Sequence, residues 1–282
     1  MGGIIIAHVV NPVNAKPPSD LVTAQPITYM SMFRAALYEP SVSYAAYYPE
    51  DEEMVPSWFK KLRPLGRSVL DLKKFNVQRK LPLFRDILDR VVDETDADYI
   101  VQTNCDIGLM PHFYQFVKRQ IEKGYRAFII NKRVIPAHYK SVDDLPEMYA
   151  ELGQPHNGYD CFVFPMEDYA KYDLGDVCMG TPWSEGTLAS SMVNSGECTV
   201  FKNAHVTFHV GDSRTWLDPK LTDYRIHNTN EVARVMKGFA EKNPNFLKHE
   251  IICWLLYKMK HELSPYHSQD CHDLCAMTSG LR

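Results

Sequence analysis

The chain has 282 residues, 45% of them apolar, and a formal net charge of −4. This length suits one large domain with an extension. The slight acidic balance leaves no surplus of Lys and Arg to neutralise a nucleic-acid backbone, which argues against a nucleic-acid partner. No apolar run reaches the roughly 18 residues that a membrane span needs, and the first residues lack the basic region of a signal peptide. Seven cysteines without a regular spacing favour reduced thiols and a cytoplasmic protein.

The first part of the chain contains predicted strands separated by a loop and a helix. Ile4–Val10 is a continuous, mostly β-branched run that predicts a buried parallel strand. The Pro-rich segment Asn14–Pro26 predicts a loop, and the apolar spacing over Ile27–Leu37 predicts a helix. Val42–Tyr48 has the composition of a second strand.

A clear βαβ pattern follows in the next part of the chain. Pro82–Glu94 and Pro111–Glu122 predict helices that begin with Pro, and the second ends at Gly124 as a left-handed cap. Strands are predicted at Tyr99–Thr103 and Arg126–Asn131, on either side of the second helix. Strand, helix and strand within so short a stretch favour a parallel sheet.

The remaining part of the chain is less regular. Its predicted strands are Asp160–Phe164, Cys198–Phe201 and His205–Val210. A helix is predicted after Met179–Glu185 and ends at Val193, and two more are predicted over Glu231–Ala240 and Phe246–Leu263. The polar segment Ser264–Arg282 predicts a flexible tail.

One strand of the βαβ unit runs straight into polar residues that suit a ligand site. Tyr99–Thr103 is followed by Asn104, Cys105 and Asp106, and α/β folds bind ligands at the carboxyl ends of their strands. Mg²⁺ and Mn²⁺ prefer oxygen ligands, and Mn²⁺ also accepts an imidazole. Asp106 and His209 are therefore predicted as two ligands of a divalent metal, with a nucleotide diphosphate supplying others. The alternative is that Asp106 only caps the following helix.

Four segments, in this order along the chain, resemble the motifs of the GT-A-fold glycosyltransferases: Ile4–Asn11, Thr103–Asp106, Trp183–Glu185 and Phe208–Gly211. In that family the first strand binds the nucleotide, and an Asp-x-Asp-type motif binds metal. An acid at the start of a later helix is the base of inverting members, and a late His completes the metal site. The resemblance spans residues 3–217 and departs from the family at Asn104, where an acid is usual. Within that family, the chain resembles a subgroup of small soluble glycosyltransferases of large algal viruses.

The resemblance implies both a fold and an activity. The fold is α/β, with a GT-A-like mixed, mostly parallel sheet flanked by helices. A catalytic domain is expected over residues 1–217, a helical extension over 218–263 and the tail over 264–282. The implied activity is transfer of a sugar from a nucleotide-sugar donor, expected to be a UDP-sugar, to a hydroxyl of a glycan acceptor. Inversion at the anomeric centre and assistance by Mn²⁺ or Mg²⁺ are expected.

The same resemblance assigns residues to the donor nucleotide. Val10 and Asn11 are expected to line the nucleoside pocket, and Asp86 to hydrogen-bond the base or ribose. Arg79, Lys80 or Arg85 is expected to face the diphosphate, because Arg and Lys pair well with phosphate oxygens.

The resemblance also assigns residues to the metal and to catalysis. Asn104 and Asp106 are expected at the diphosphate, with Asp106 and His209 on the metal. Glu185 is the expected catalytic base, and Asp160, beside a predicted Gly turn, is its rival. Three aromatic residues are candidates for stacking on sugar rings: Tyr159, Trp183 and Trp216.

Two other functions remain open. A non-catalytic carbohydrate-binding or scaffold protein on the same fold is favoured by Asn104. A sugar nucleotidyltransferase would carry a basic, Gly-rich loop after the first strand, and Asn11–Ser19 contains no Gly. No P-loop and no Gly-x-Gly-x-x-Gly pattern after a strand is present, which argues against NTPases and Rossmann dehydrogenases.

Overall fold

A computed structural model describes residues 3–212, 218–262 and 268–279. The chain divides into two compact units, each assembled from three stretches of sequence. The first comprises Met1–Gly66, Leu88–Tyr169 and Cys198–Arg214, and the second comprises Arg67–Ile87, Ala170–Glu197 and Thr215–Arg282. The domain boundaries expected after residues 217 and 263 lie outside the described residues, so that division stays a prediction.

The strands all belong to the first unit. In chain order they are β1 (Ile6–Val10), β2 (Val42–Ala45), β3 (Lys60–Lys61), β4 (Tyr99–Thr103), β5 (Gly108–Leu109), β6 (Ala127–Ile130), β7 (Arg133–Ile135), β8 (Gln154–Pro155), β9 (Cys161–Pro165), β10 (Cys198–Phe201) and β11 (Thr207–Val210). Seven of them form the main sheet in the order β10-β6-β9-β4-β1-β2-β3. Only β9 runs antiparallel to its neighbours, β4 and β6, within this sheet. This confirms the expected α/β fold with a mixed, mostly parallel sheet.

The helices are α1 (Leu21–Tyr38), α2 (Phe84–Glu94), α3 (Phe113–Glu122), α4 (Leu145–Ala150), α5 (Gly186–Ser195), α6 (Thr222–Lys242), α7 (Glu250–Glu262) and α8 (Gln269–Ser279). In the first unit, α1 and α3 pack on the main sheet through a buried apolar cluster that includes Met32, Phe113, Val101 and Phe128. Burying such side chains is the main favourable term in folding, at roughly 1.5–3 kcal/mol each. Gly124, with φ of 93°, ends α3 in the left-handed conformation, as predicted. No helix among the described residues is long and apolar enough to cross a bilayer.

Helix α1 begins six residues earlier than the sequence predicts. The segment Asn14–Pro26 was expected to be a loop, yet Leu21 already starts the helix and Pro26 lies inside it. The reason is tertiary: the buried amide of Gln25 donates to the carbonyl of Val13 and accepts from its N–H, both at 2.9 Å. These two bonds offset the hydrogen bond that Pro26 cannot donate.

The second unit is mainly helical and contains α5 to α8. Its core includes Val69, Leu83, Cys178 and Tyr224. The C-terminal segment differs from the expected flexible tail, because Gln269–Ser279 forms α8. Lys237 of α6 pairs with Asp270 and Asp273 at 3.0 and 2.7 Å, while Cys271 and Leu274 of α8 are buried. Cys271 and Leu274, three residues apart, give α8 a buried face. The polar composition of the segment hid this face from the sequence-based prediction.

A second, four-stranded sheet in the first unit has the order β5-β11-β7-β8. Strand β5 pairs antiparallel with β11, and Gly108 lies directly opposite Phe208. A methyl group built on Gly108 would overlap the ring of Phe208, which is fully buried. Glycine is therefore required at position 108 because the ring of Phe208 packs directly against its backbone, and not because of its backbone angles.

We expect Gly108→Ala to lower the free energy of unfolding by about 1–3 kcal/mol, because the added methyl overpacks a filled core. Urea unfolding of the purified variant measures this. Gly66→Ala is the control, since nothing lies within 4 Å of a Cβ there. A Gly108→Ala protein as stable as wild type would show that the Phe208 ring moves freely.

Candidate functional site

Three strand ends meet at one edge of the main sheet. Thr103, the last residue of β4, pairs with Cys161, the first residue of β9. Cys161 also pairs with Ile130, the last residue of β6. Because β9 runs opposite to both neighbours, Asp160 just before it lies between the segments that leave β4 and β6. The antiparallel strand thus brings an acid to the edge at which the parallel strands end.

Asp106 and His209 lie against each other at this edge. The β5–β11 pairing carries His209 past the turn that follows β4, and its Nε2 lies 3.2 Å from Oδ2 of Asp106. Nδ1 of His209 donates to the carbonyl of Gly211 at 2.7 Å. A neutral His209 therefore presents the lone pair of Nε2 toward the carboxylate, and only a proton or a cation can reconcile the two.

Each residue of this pair stabilises the charged form of the other. Burial lowers the pKa of His209, but the hydrogen bond and charge of Asp106 outweigh it and raise that pKa above its ordinary value. Burial likewise raises the pKa of Asp106, but His209, together with the charge of Lys132, holds it below its usual range. Asp106 is thus ionised at neutral pH, as a metal ligand must be.

The donor set fits a divalent cation. Oδ1 of Asp106 is buried and has no hydrogen-bond partner in the described part of the chain, so a lone pair is left for a ligand. One carboxylate and one imidazole with its tautomer set by a backbone carbonyl suit Mn²⁺ better than Mg²⁺. Within the described ranges no group of three or more His, Cys, Asp or Glu side chains is placed to hold a metal. Other ligands would have to come from substrate or water.

Asp160 and Lys132 form a second charged pair at the same edge. Nζ of Lys132 lies 3.0 Å from Oδ1 of Asp160, and both side chains are nearly buried. Oδ2 of Asp160 has no hydrogen-bond partner among the described residues, although Nδ1 of His156 lies 3.5 Å away. Burial raises the pKa of Asp160, but the charges of Lys132 and His156 lower it to about 2. Such a weak base accepts protons poorly near neutral pH.

This pair predicts an acid-sensitive contribution to stability. The pKa of Asp160 is lower in the folded chain than the value of about 3.9 expected in an unfolded one. The ionised carboxylate therefore stabilises the fold above pH ~4, by about 2–3 kcal/mol, and this contribution is lost as the pH falls toward 2.

We expect Lys132→Met to lower the free energy of unfolding at pH 7 by about 3 kcal/mol, because a nearly buried carboxylate loses its partner. The acid-induced loss should also begin at higher pH, since the pKa of Asp160 rises. Urea unfolding between pH 3 and 7 measures both effects. Lys61→Met is the control, because the Lys61–Glu52 pair is exposed and should contribute little to stability. Equal losses in both variants would contradict the prediction.

The residues expected at the nucleoside lie at the ends of β1 and β2. Val10 is buried in the main core. Asn11 follows β1 and donates its side-chain amide to the carbonyl of Ala46, which follows β2, at 2.6 Å. Asn11 thus ties two strand exits together. Asn104, half-buried, follows β4 in the same unit.

The other predicted nucleotide residues lie in the second unit. Both oxygens of Asp86 accept hydrogen bonds from Arg67, at 2.8 and 2.9 Å, so its carboxylate is already paired. Arg79 is exposed, and its backbone N–H donates to the hydroxyl of Tyr224. Their roles at the donor remain predictions.

Glu185 also belongs to the second unit, where it directly precedes α5. Its side chain is half-buried and makes no capping hydrogen bond to the helix. Trp183, two residues earlier, is buried with φ of 74°. Trp216, a predicted stacking residue, lies outside the described residues, whereas the half-buried Tyr159 adjoins Asp160.

Lys132 was absent from the sequence-based site. The signal was available: the predicted strand Arg126–Asn131 also runs into polar residues, as Tyr99–Thr103 does. Asn131, which precedes Lys132, is buried, and its Oδ1 has no partner in the described part of the chain. What the sequence concealed is that β9 lies between β4 and β6, which brings these exits together.

No family model matches the sequence, and no curated protein matches it. Solved structures do resemble it. S. aureus TarS (residues 1–349), in complex with UDP-GlcNAc, matches 97% of this chain and 81% of its own, with a TM-score of 0.51 and 7% identity. The mannosyltransferase PcManGT from Pyrobaculum calidifontis, in complex with GDP-Man and Mn²⁺, matches 99% of this chain and 75% of its own, with a TM-score of 0.50 and 13% identity. At identities this low, the structural likeness shows the fold alone. That fold is GT-A-like, as the sequence resemblance implied.

Proposed function

We propose that this protein is a nucleotide-sugar-dependent glycosyltransferase that uses a divalent metal ion. The observation that carries the proposal is the contact between Asp106 and His209 at the carboxyl edge of the sheet, with Oδ1 of Asp106 left for a ligand. The resembling structures support the donor class, because one holds UDP-GlcNAc and the other GDP-Man with Mn²⁺. We expect a UDP-sugar as donor and a glycan hydroxyl as acceptor.

The charges at the edge suit a cation that carries a diphosphate. Asp106 and Asp160 are ionised and Lys132 is protonated, so with a neutral His209 the three charges sum to −1. Asp106 and His209 would hold the metal, which neutralises the charge that grows on the leaving nucleoside diphosphate as the glycosidic bond breaks. Lys132 keeps Asp160 ionised, and the unpartnered Oδ2 of Asp160 accepts a donor hydrogen bond from the ligand.

The proposed catalytic base is Glu185. Its carboxylate takes the proton from the acceptor hydroxyl while that oxygen attacks the anomeric carbon, and the bond to the diphosphate oxygen breaks with inversion. Asp160 is the weaker choice, because its pKa of about 2 makes it a poor base. Glu185 directly precedes the N-terminus of α5, where a carboxylate is favoured.

A thermal-shift titration with UDP, GDP and CMP, each with and without Mn²⁺, tests the proposal. A nucleotide at a hundred times its dissociation constant should stabilise the fold by about 2.7 kcal/mol. We expect UDP to give the largest shift and Mn²⁺ to increase it. The absence of a shift with every nucleotide would rule out the transferase. Binding without hydrolysis or transfer from a panel of UDP- and GDP-sugars would favour the non-catalytic carbohydrate-binding alternative.

Two finer expectations rest on the sequence. The likeness to the glycosyltransferases of algal viruses rests on the motifs alone, and a cytoplasmic location rests on the cysteine pattern. All seven cysteines are free thiols in the structure, which is consistent with a reducing compartment.

A further inference from the structure

The segment that leads to Glu185 is an irregular loop of the second unit. It runs from Asp176 to Ser184, shortly before the start of α5, and contains one isolated β-bridge, at Cys178. A loop has no ladder of its own to hold its backbone, so its carbonyl and N–H groups need partners elsewhere. In this loop, several of those partners are side chains of one helix, α6.

Asn228 of α6 supplies three of the bonds. Its side-chain oxygen accepts from the N–H of Cys178 at 2.9 Å, and its amide nitrogen donates to the carbonyls of Cys178 and Pro182 at 2.9 and 3.1 Å. Asn228 is fully buried. A buried amide with both its oxygen and its nitrogen engaged by backbone has one orientation, so it fixes the atoms that it binds.

Neighbouring residues of α6 also bind this loop. His227 donates from Nε2 to the carbonyl of Asp176 at 2.9 Å, and Glu231 accepts from the N–H of the same residue at 3.0 Å. Farther along, Val232 lies so close to Gly186, the first residue of α5, that a methyl group there would meet it at 2.8 Å. One helix therefore holds the loop at its beginning, at Pro182 and at the start of α5.

The loop carries a strained residue inside these restraints. Trp183, directly after Pro182, has φ of 74°, a left-handed conformation that a bulky side chain keeps only when its surroundings impose it. Trp183 is also buried, and its carbonyl accepts from the N–H of Gly186 at 3.1 Å. The backbone around Glu185 is thus held in a conformation that the local sequence does not favour.

We infer that Asn228 is a positioning residue that aims the carboxylate of Glu185 at the acceptor hydroxyl. The inference rests on the proposed function, because it assigns Asn228 a role through the proposed base. Asn228 is fully buried and its amide is bound to the loop backbone, so it should affect the chemical step without affecting donor binding. A misplacement of about 1 Å by a residue remote from the chemistry can cost about a hundredfold in rate.

The test is a double-mutant cycle of Asn228→Ala and Glu185→Gln in the full chain. Hydrolysis of UDP-glucose, UDP-galactose and UDP-N-acetylglucosamine measures kcat and KM, and the thermal shift with UDP and Mn²⁺ measures nucleotide binding. We expect Asn228→Ala to lower kcat by about tenfold to a hundredfold with KM and the UDP shift unchanged. In the Glu185→Gln background, Asn228→Ala should lower kcat no further, because the two residues act as one unit.

Asn230→Ala is the matched control. Asn230 lies on the same helix, and its side-chain oxygen accepts from the N–H of Ser268 instead of the loop. We expect it to retain wild-type kcat. Gly186→Ala is a second, independent perturbation of the loop end, for use if Asn228→Ala does not fold, and it should show the same loss of kcat at constant KM.

The outcomes separate the two proposals. An inactive Glu185→Gln together with a fully active Asn228→Ala or Gly186→Ala would overturn the positioning role and leave the base in place. Additive losses in the double mutant would overturn it as well, because they indicate independent actions. Full activity of Glu185→Gln would overturn the proposed base and, with it, the positioning role.

Discussion

Replacing Glu185 with glutamine is expected to lower kcat by about a hundred- to ten-thousand-fold, which is the usual contribution of a general base. Glutamine has nearly the same size and keeps a side-chain oxygen, but it cannot take a proton from the acceptor. KM for the donor should change little, because the proton is transferred only as the acceptor attacks. Steady-state hydrolysis and transfer assays with UDP-sugars measure both constants.

Glu197→Gln provides the control for this variant. Glu197 is exposed just beyond the end of α5, so the same change of charge and size is made in the same unit away from the proposed base. A Glu185→Gln enzyme with undiminished kcat would instead favour Asp160. Asp160→Asn should then abolish turnover, and the low pKa of that carboxyl would need another explanation.

Replacing Asp106 with alanine is expected to weaken Mn²⁺ binding in the presence of UDP by about a hundredfold or more. Loss of a partner that only orients a metal ligand costs about 10–100-fold in affinity, and loss of a direct ligand should cost no less. The remaining His209 still has Nδ1 bound to the carbonyl of Gly211, so one weak nitrogen ligand would stay in place. Isothermal titration of the UDP-loaded protein with MnCl₂ measures the change.

Asp96→Ala is a suitable control, because Asp96 is an exposed carboxylate of the same unit. Unchanged Mn²⁺ affinity in Asp106→Ala would assign the Asp106–His209 contact a purely structural role. UDP binding that persists without any metal dependence would remove both residues from the metal site but leave a nucleotide-binding protein.

The sequence predicted much of the fold from local patterns. Tyr99–Thr103 was predicted with its observed bounds, because its buried apolar run ends abruptly at polar residues. The predicted start of α1 was wrong, because it depends on hydrogen bonds between Gln25 and Val13. These residues are twelve positions apart, and no local sequence pattern indicates their contact. The same limit applied at the C-terminus, where the burial of Leu274 and Cys271 depends on contacts beyond α8 itself.

The candidate site was predictable only in part, for a similar reason. Asp106 and His209 were paired by resemblance, and the structure brings them into contact. The pairing of Lys132 with Asp160 depends on the place of β9 in the sheet, which sequence periodicity does not reveal. Asn228 lies in α6 but before the predicted helix Glu231–Ala240, and no sequence pattern marks it, because its importance comes from the loop that it binds.

The division of the first unit into three stretches of sequence has a consequence for its synthesis. At roughly 5–20 residues per second, the 102 residues between Asp106 and His209 take about 5–20 s to translate. Until residues 198–201 emerge, β6 has no partner on its outer side, and its sequence Ala-Phe-Ile-Ile is an apolar edge open to other chains. A ribosome-bound chain that stops before residue 198 should therefore depend on chaperones, whereas one that extends past β11 should not.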